Sequence, residues 1–248
     1  MIADIGKYTY KNVFPSERLK NYMLKYMTNM KDIDCIISPH IILEELITIN
    51  NYTEKKEALK ILHAGALGKE RNPKLFFEGL RLFLDKYPNA KIEVHLLGVF
   101  ERIKNSEIFN LIDKLNLNAH IKCIPPVTYL ESLSLMTKYD VCLLLEAQCN
   151  EGIFLPSKIA DYMQNGKVIW TISPQDGVLN DLFQNGHIGY FSNNISKESI
   201  YNTLIEIYTD YQQGILMQKN YLCNDFLSKN VYGVHEKLIL HQQLISNK

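Results

Sequence analysis

The stretch KILHAGALGKERNP, Lys60 to Pro73, runs from an apolar strand-like segment through Gly65 and Gly68 to Arg71 and a proline. The short apolar run, followed by a glycine-containing loop, predicts a strand over KILHAGAL. Pro73 suits the first turn of a helix, where its missing N–H has no intrahelical partner to lose. The helical spacing of NPKLFFEGLRLFLDKY then continues the pattern. A strand, a glycine-containing loop and a helix in that order open a βα unit, and the sequence repeats the unit several times.

Downstream, KIEVHLLG reads as a strand, SEIFNLIDKLN as a helix, HIKCIPPV as a strand cut short by Pro125 and Pro126, and YLESLSLMTKY as a helix. DVCLLLEA is so apolar that both its faces must be covered. PSKIADYMQNG, KVIWTIS, GVLNDLFQNG and HIGYFS continue as helix, strand, helix and strand, and ESIYNTLIEIYTDYQQG and LSKNVYGVHEKLILHQQLI follow as terminal helices. Such alternation predicts an α/β, doubly wound parallel sheet, Rossmann-like, with helical extensions at both ends. Upstream, ERLKNYMLKYMTNM spaces Leu19, Met23, Tyr26 and Met27 as a helix, CIISP reads as a short buried strand, and IILEELITI as a second amphipathic stretch. The part before Asn51 is thus expected to be helix-rich. The charged NNYTEKKEALK is the linker expected to follow it.

Ligands of open parallel sheets bind beyond the carboxyl ends of the strands, where strand order reverses. The loops leaving those ends are AGALGKERN, LGVFERIKN, IPPVTYL, EAQCNEGIFLPSK and SPQDG. The first offers Gly65 and Gly68 for close backbone approach and the planar donor fork of Arg71 for phosphate oxygens. Lys69 is a further cation there. The fourth leads into Pro156, Ser157, Lys158, Asp161 and Gly166. A lysine in a first helical turn opposes the macrodipole and gains nothing there, so an anion site explains it. Ser157 can donate to a phosphate, and Asp161 can accept from two ribose hydroxyls.

These two segments together resemble the donor-binding, carboxyl-terminal half of retaining GT-B glycosyltransferases of the family 4 type. In that family the loop of Gly65 and Arg71 grips a pyrophosphate, and Lys158, Asp161 and Gly166 match its PSK variant of the carboxylate helix. The chain departs from the pattern at Ala66, where an arginine is usual, and at Ile153, where the register places the first of two glutamates. The resemblance implies that Gly65, Arg71, Ser157, Lys158 and Asp161 bind the donor and that Glu151 meets the donor sugar, with Glu146 as second candidate. It implies hexosyl transfer from a nucleotide diphosphate sugar to a sugar or lipid-linked sugar acceptor in surface polysaccharide assembly, with no cofactor and no metal. A complete GT-B enzyme has two Rossmann-like halves. Residues 1–57 are therefore expected to be the remnant of an acceptor half plus linker, and residues 58–248 the nucleotide-sugar-binding domain. The competing expectation is a donor-binding module that is active only with a separate acceptor-binding subunit. For a nucleotide-sugar epimerase, no added acid–base pair is found.

The remaining features bound the reading. In 248 residues, Lys plus Arg and Asp plus Glu each number 27, so no global field recruits nucleic acid. No run reaches the length of a membrane span and no signal peptide is read at the start, which predicts a cytoplasmic protein, peripheral at most to the inner membrane face. The triplets at Asn51 and Asn194 are then chance matches. Cys35, Cys123, Cys142, Cys149 and Cys223 lack metal spacing and are expected to be reduced core thiols. His63 reads as a core histidine or one leaning into the crevice, and Asp32 with Asp34 as a polar turn at the wrong end of a strand for ligands. His235 and His241 fall on different helix faces.

Overall fold

The computed structural model describes residues 9–27, 29–47, 57–98 and 105–236, Asn105 and Ser106 by their backbone alone. Most of the linker, the Asn51 triplet, part of LGVFERIKN and the end of the last helix lie outside the described residues. Six strands form one parallel sheet: β3 (Leu59–Ala64), β4 (Ile92–Leu97), β5 (Ile121–Ile124), β6 (Val141–Leu145), β7 (Val168–Ser173) and β8 (Tyr190–Asn193). Their spatial order is β5-β4-β3-β6-β7-β8. The chain therefore winds outward from β3 in one direction, returns, and winds outward from β6 in the other. The reversal lies between β3 and β6.

Alternating side chains send the strands into two cores. On one face Leu59, Ile61, Val94 and Trp170 pack against Phe76, Phe77, Leu80 and Phe83 of α2 (Lys74–Lys86) and Ile200, Leu204 and Ile207 of α7 (Lys197–Gln213), beside α3 (Asn105–Lys114). Trp170 is fully buried; its Nε1 donates to Ser192 Oγ at 2.9 Å, so the indole N–H is satisfied. On the other face Leu62, Cys142, Leu144 and Ile169 meet α5 (Lys158–Gln164) through Ile159, Tyr162 and Met163, with α4 (Tyr129–Met136) and α6 (Val178–Gln184) alongside. All five residues of β6 are buried, as a strand covered on both faces requires.

The amino-terminal part is a βαβ unit rather than a helix-rich one: β1 (Asn12–Phe14), α1 (Glu17–Tyr26) and β2 (Cys35–Ile37), with β1 and β2 parallel. Its small core is Phe14, Met27 and Met30. Tyr26, placed on the apolar stripe by spacing, is 63% exposed. The CIISP strand is half-buried because it pairs only with β1. In the described part of IILEELITI, Ile42 is tied through its backbone to Phe226 and Ser228, and Glu44–Leu46 forms a single short turn. Cys142 and Cys223 are core thiols, but Cys35 and Cys123 are half-buried and Cys149 is exposed, so the expectation of five core thiols fails for three. Among the described residues no helix is long and apolar enough to cross a membrane.

Candidate functional site

The crevice begins where β3 and β6 part. Their ladder ends at Leu62 with Cys142, and two rings fill the gap beyond it. His63 Nδ1 donates to Leu143 O at 3.0 Å; Tyr162 Oη, from the second core, accepts from Ala64 N at 3.3 Å and donates to Leu143 O at 3.4 Å. Burial, and then the charges of Lys158 and Arg71, push His63 down to about 4. It is thus a neutral core ring whose Nε2 has no hydrogen-bond partner among the described residues. A carbonyl can only accept, so the ring proton sits on Nδ1.

Gly65 leaves β3 with φ +152°, a conformation that side chains disfavour, and its N–H donates to Leu97 O at 2.7 Å. A Cβ there would lie 2.6 Å from Lys158 Cε and 3.0 Å from Lys158 Nζ. The lysine stem therefore runs across the bare backbone of Gly65, which joins the two motifs physically. Lys158 has no hydrogen bond among the described residues, and its pKa is lowered first by burial and then by the Arg71 guanidinium. Arg71 itself is exposed, and its Nη2 lies 3.4 Å from Glu146 Oε1. Glu146 is held above the ordinary carboxylate range by burial, opposed by the charge of Arg71. The arrangement places two cations and one carboxylate at the carboxyl ends of β3 and β6.

Ser157 is exposed at the start of α5 and makes no side-chain cap bond. Asp161, one turn on, accepts from Tyr129 Oη at 2.8 Å. Burial holds Asp161 above its ordinary range even though Tyr129 and Lys158 favour its charged form. Burial and the Asp161 carboxylate together push the Tyr129 hydroxyl up to about 12. Tyr129 is a residue that the motif reading missed. Its signal was its place in IPPVTYL, one of the loops that leave the carboxyl ends. Thr128 caps α4 in a capping box with Glu131, which fixes Tyr129 as the first residue of that helix.

Glu151 does not join Arg71 and Lys158. It lies 3.6 Å from Arg18 Nη1 and, with Glu146, lines a cavity of about 440 Å³. Lys69 is exposed. Gly68 N donates to Arg71 O at 3.4 Å, closing the loop after β3, and Asn72 Oδ1 accepts from Lys74 N at 2.9 Å. Asp32 and Asp34 form a short turn before β2 and pair with Lys20 at 2.7 Å and Lys11 at 3.6 Å, away from the crevice.

No family model matches the chain, and no curated protein matches it either. Solved structures do. A glycosyltransferase from Rickettsia africae ESF-5 superposes with a TM-score of 0.73 at 14% identity, over 99% of this chain and 68% of that one. Anabaena Alr3699/HepE in complex with UDP and glucose gives 0.72 at 12% identity, over 96% and 64%. The lipopolysaccharide outer core galactosyltransferase WaaB, in its apo form, gives 0.68 at 12% identity, over 95% and 63%. The chain spans roughly two thirds of their lengths, and at these identities the likeness establishes the fold.

Proposed function

We propose that this chain, which has the fold of the donor-binding half of GT-B glycosyltransferases, binds a nucleotide diphosphate sugar in the crevice between β3 and β6 and transfers its hexosyl group to a sugar acceptor. One observation carries the reading. Lys158 is held half-buried against Gly65 without a hydrogen bond from its ammonium among the described residues, and burial and the cation Arg71 outweigh the carboxylates of Asp161 and Glu146 that favour its charge. Such a placement is unfavourable until an anion arrives. A diphosphate with two negative charges relieves both the desolvation and the like-charge repulsion. Arg71 and Lys158 then hold the diphosphate and stabilise it as it leaves, a task that asks for no metal ion. Asp161, already aligned by Tyr129, accepts from the ribose hydroxyls, and Glu146 and Glu151 face the sugar.

The UDP complex of HepE supports uridine as the base, and the likeness to WaaB, a lipopolysaccharide outer core galactosyltransferase, supports a sugar or lipid-linked sugar of a surface polysaccharide as acceptor. Such an acceptor would place the protein at the cytoplasmic face of the inner membrane. A second reading, a donor-binding module working with a separate acceptor-binding subunit, is favoured by the two-stranded size of the amino-terminal sheet among the described residues. The first test is thermal unfolding with UDP and with GDP, each with and without chelator. A ligand that binds only the native state raises the melting temperature by mass action. A shift that chelator abolishes would overturn the metal-free reading. Turnover by the chain alone, against turnover only with an added acceptor-binding partner, separates enzyme from module.

A further inference from the structure

Lys158 opens a helix that has little hold on its own position. α5 is only 7 residues long and starts after Ser157 without a side-chain cap bond. A helix of that length spans roughly 10 Å and is marginal by its backbone bonds alone. Its neighbours therefore decide where Lys158 points.

The connection from β6 to α5 is tied down by two different parts of the molecule. Its middle belongs to the main domain: Gly152 N donates to Asp176 O and Val178 N to Gly152 O, each at 2.8 Å. Beyond Gly152 the donors come from elsewhere. Ser16 Oγ, at the start of α1, donates to Ile153 O at 3.1 Å, and His40, three residues after β2, meets Leu155 O through Nε2 at 2.9 Å. A carbonyl can only accept, so the His40 proton sits on Nε2. Pro156 follows at once; its ring fixes its own φ and restricts Leu155, so the turn passes the orientation of Leu155 on to Lys158 with little slack.

The segment that carries His40 also runs beside α5. Ile42 is fully buried in the core that holds Ile159, Tyr162 and Met163. Its backbone is locked on both sides, since its N donates to Phe226 O at 2.7 Å and its O accepts from Ser228 N at 2.9 Å. Leu43 N then donates to Gln164 Oε1 at 3.1 Å, on the last residue of the helix. His40 thus meets the turn before α5 and Leu43 meets its end, with Ile42 packed between them. Burial raises the pKa of Asp161, and Tyr129, Lys158 and then His40 oppose it, so the ring is also close enough to act on that carboxylate.

We propose that His40 is a positioning residue: its Nε2–H, held against Leu155 O, sets the turn that aims Lys158 across Gly65 at the diphosphate, without itself touching the ligand. The inference rests on the donor-site reading. Charge-assisted hydrogen bonds are short, about 2.7 to 2.9 Å, so a shift of roughly 1 Å at the start of α5 is enough to lose one.

Titration calorimetry with UDP and with GDP tests this on two variants of similar bulk. Gln carries an N–H where Nε2 stands, and Leu carries none. His40→Gln should bind within about twofold of wild type and His40→Leu about tenfold more weakly, as befits the partial loss of a hydrogen bond to a charged group. Because His40 acts through Lys158, His40→Leu should cost no more than about twofold when Lys158→Ala is already present. A merely structural role would lower affinity equally in both backgrounds. Should His40→Leu not fold, His40→Asn, whose amide is too short to reach Leu155 O, replaces it in each comparison. Wild-type affinity in the variant without the donor, no rescue by Gln, or an equal loss in the Lys158→Ala background overturns the proposal. Failure of wild type to bind either nucleotide removes the donor-site reading and this inference with it.

Discussion

Lys158 opens the short helix α5 and Lys167 stands three residues beyond its end, just before β7, and the two have opposite fates. Both are desolvated, and burial lowers the pKa of both. Lys167, at the amino end of the sheet, is 1% exposed and donates to Thr137 O and Tyr139 O at 3.0 Å each, with Asp140 favouring its charge. Lys158, at the carboxyl end, has no hydrogen bond from its ammonium among the described residues, and the cation Arg71 acts on it more strongly than the carboxylates of Asp161 and Glu146 do. Burial alone therefore does not mark a site. What separates the two is whether the fold supplies hydrogen-bond acceptors for the ammonium, as it does for Lys167, or leaves it without one, as it does for Lys158.

The largest expected effect would sharpen that contrast. Lys167→Ala should destabilise the protein by roughly 3 to 5 kcal/mol, because it strands two buried carbonyls and removes the cation beside Asp140. Lys158→Ala should leave stability nearly unchanged. Denaturant melts of both variants check this, and equal losses would break the comparison.

Ligand affinity should reverse the order. Lys158→Ala and Arg71→Ala should each cost about 1.5 to 3 kcal/mol of diphosphate affinity, the range for a hydrogen bond to a charged group, whereas a folded Lys167 variant should bind normally. Titration calorimetry with UDP or GDP measures it. Unchanged affinity in both crevice variants would remove the site.

Gly65 tests whether the contact joining the two motifs matters. Gly65→Ala meets both an unfavourable φ and the Lys158 stem, and should cost about 1 to 3 kcal/mol in stability. Gly186→Ala, at φ +73° with nothing within 4 Å of the new Cβ, should cost only about 1 kcal/mol. If diphosphate affinity falls in the first variant and holds in the second, the effect runs through Lys158.

The smallest effect concerns pH. His63 titrates near 4 in the folded protein, below the ordinary 6.5, so the unfolded chain binds the extra proton and stability falls as pH drops from 6.5 toward 4. Asp140, raised to about 6 from 3.8 by burial, runs the other way: its contribution is present at low pH and is lost as pH rises through about 6. The two slopes oppose each other in the shared window. The stability advantage of wild type over His63→Asn should therefore shrink as pH falls from 6.5 to 4, and a constant advantage across that window would show that His63 does not titrate there.

Much of the fold was readable without coordinates, because helix and strand periods and the positions of Gly and Pro are local properties. The strands of the main sheet, their parallel direction and the crevice end all follow from that pattern. The amino-terminal unit was less legible: Asn12–Phe14 is three residues long, too short to show alternation, and becomes a strand only by pairing with Cys35–Ile37. Among the candidate site residues, Gly65, Arg71, Lys158 and Asp161 were legible as loop and helix-start residues. Tyr129 was only partly so: its place in IPPVTYL set it at the carboxyl end of the sheet, but nothing local distinguishes a tyrosine that meets Asp161 from one on a solvated face.

By itself the sequence determined the alternation of strand and helix, the two segments that leave the carboxyl ends of β3 and β6, and the charges they carry. Only the tertiary structure decided which charges meet. It set Lys158 across Gly65 beside Arg71, turned Glu146 toward the guanidinium and Glu151 toward Arg18, and brought α1 over the loops after β6 and β7. The reason is physical: periodicity is fixed by backbone geometry over a few neighbouring residues, whereas a pairing between distant side chains exists only once packing has fixed both strands and the direction in which each loop leaves them.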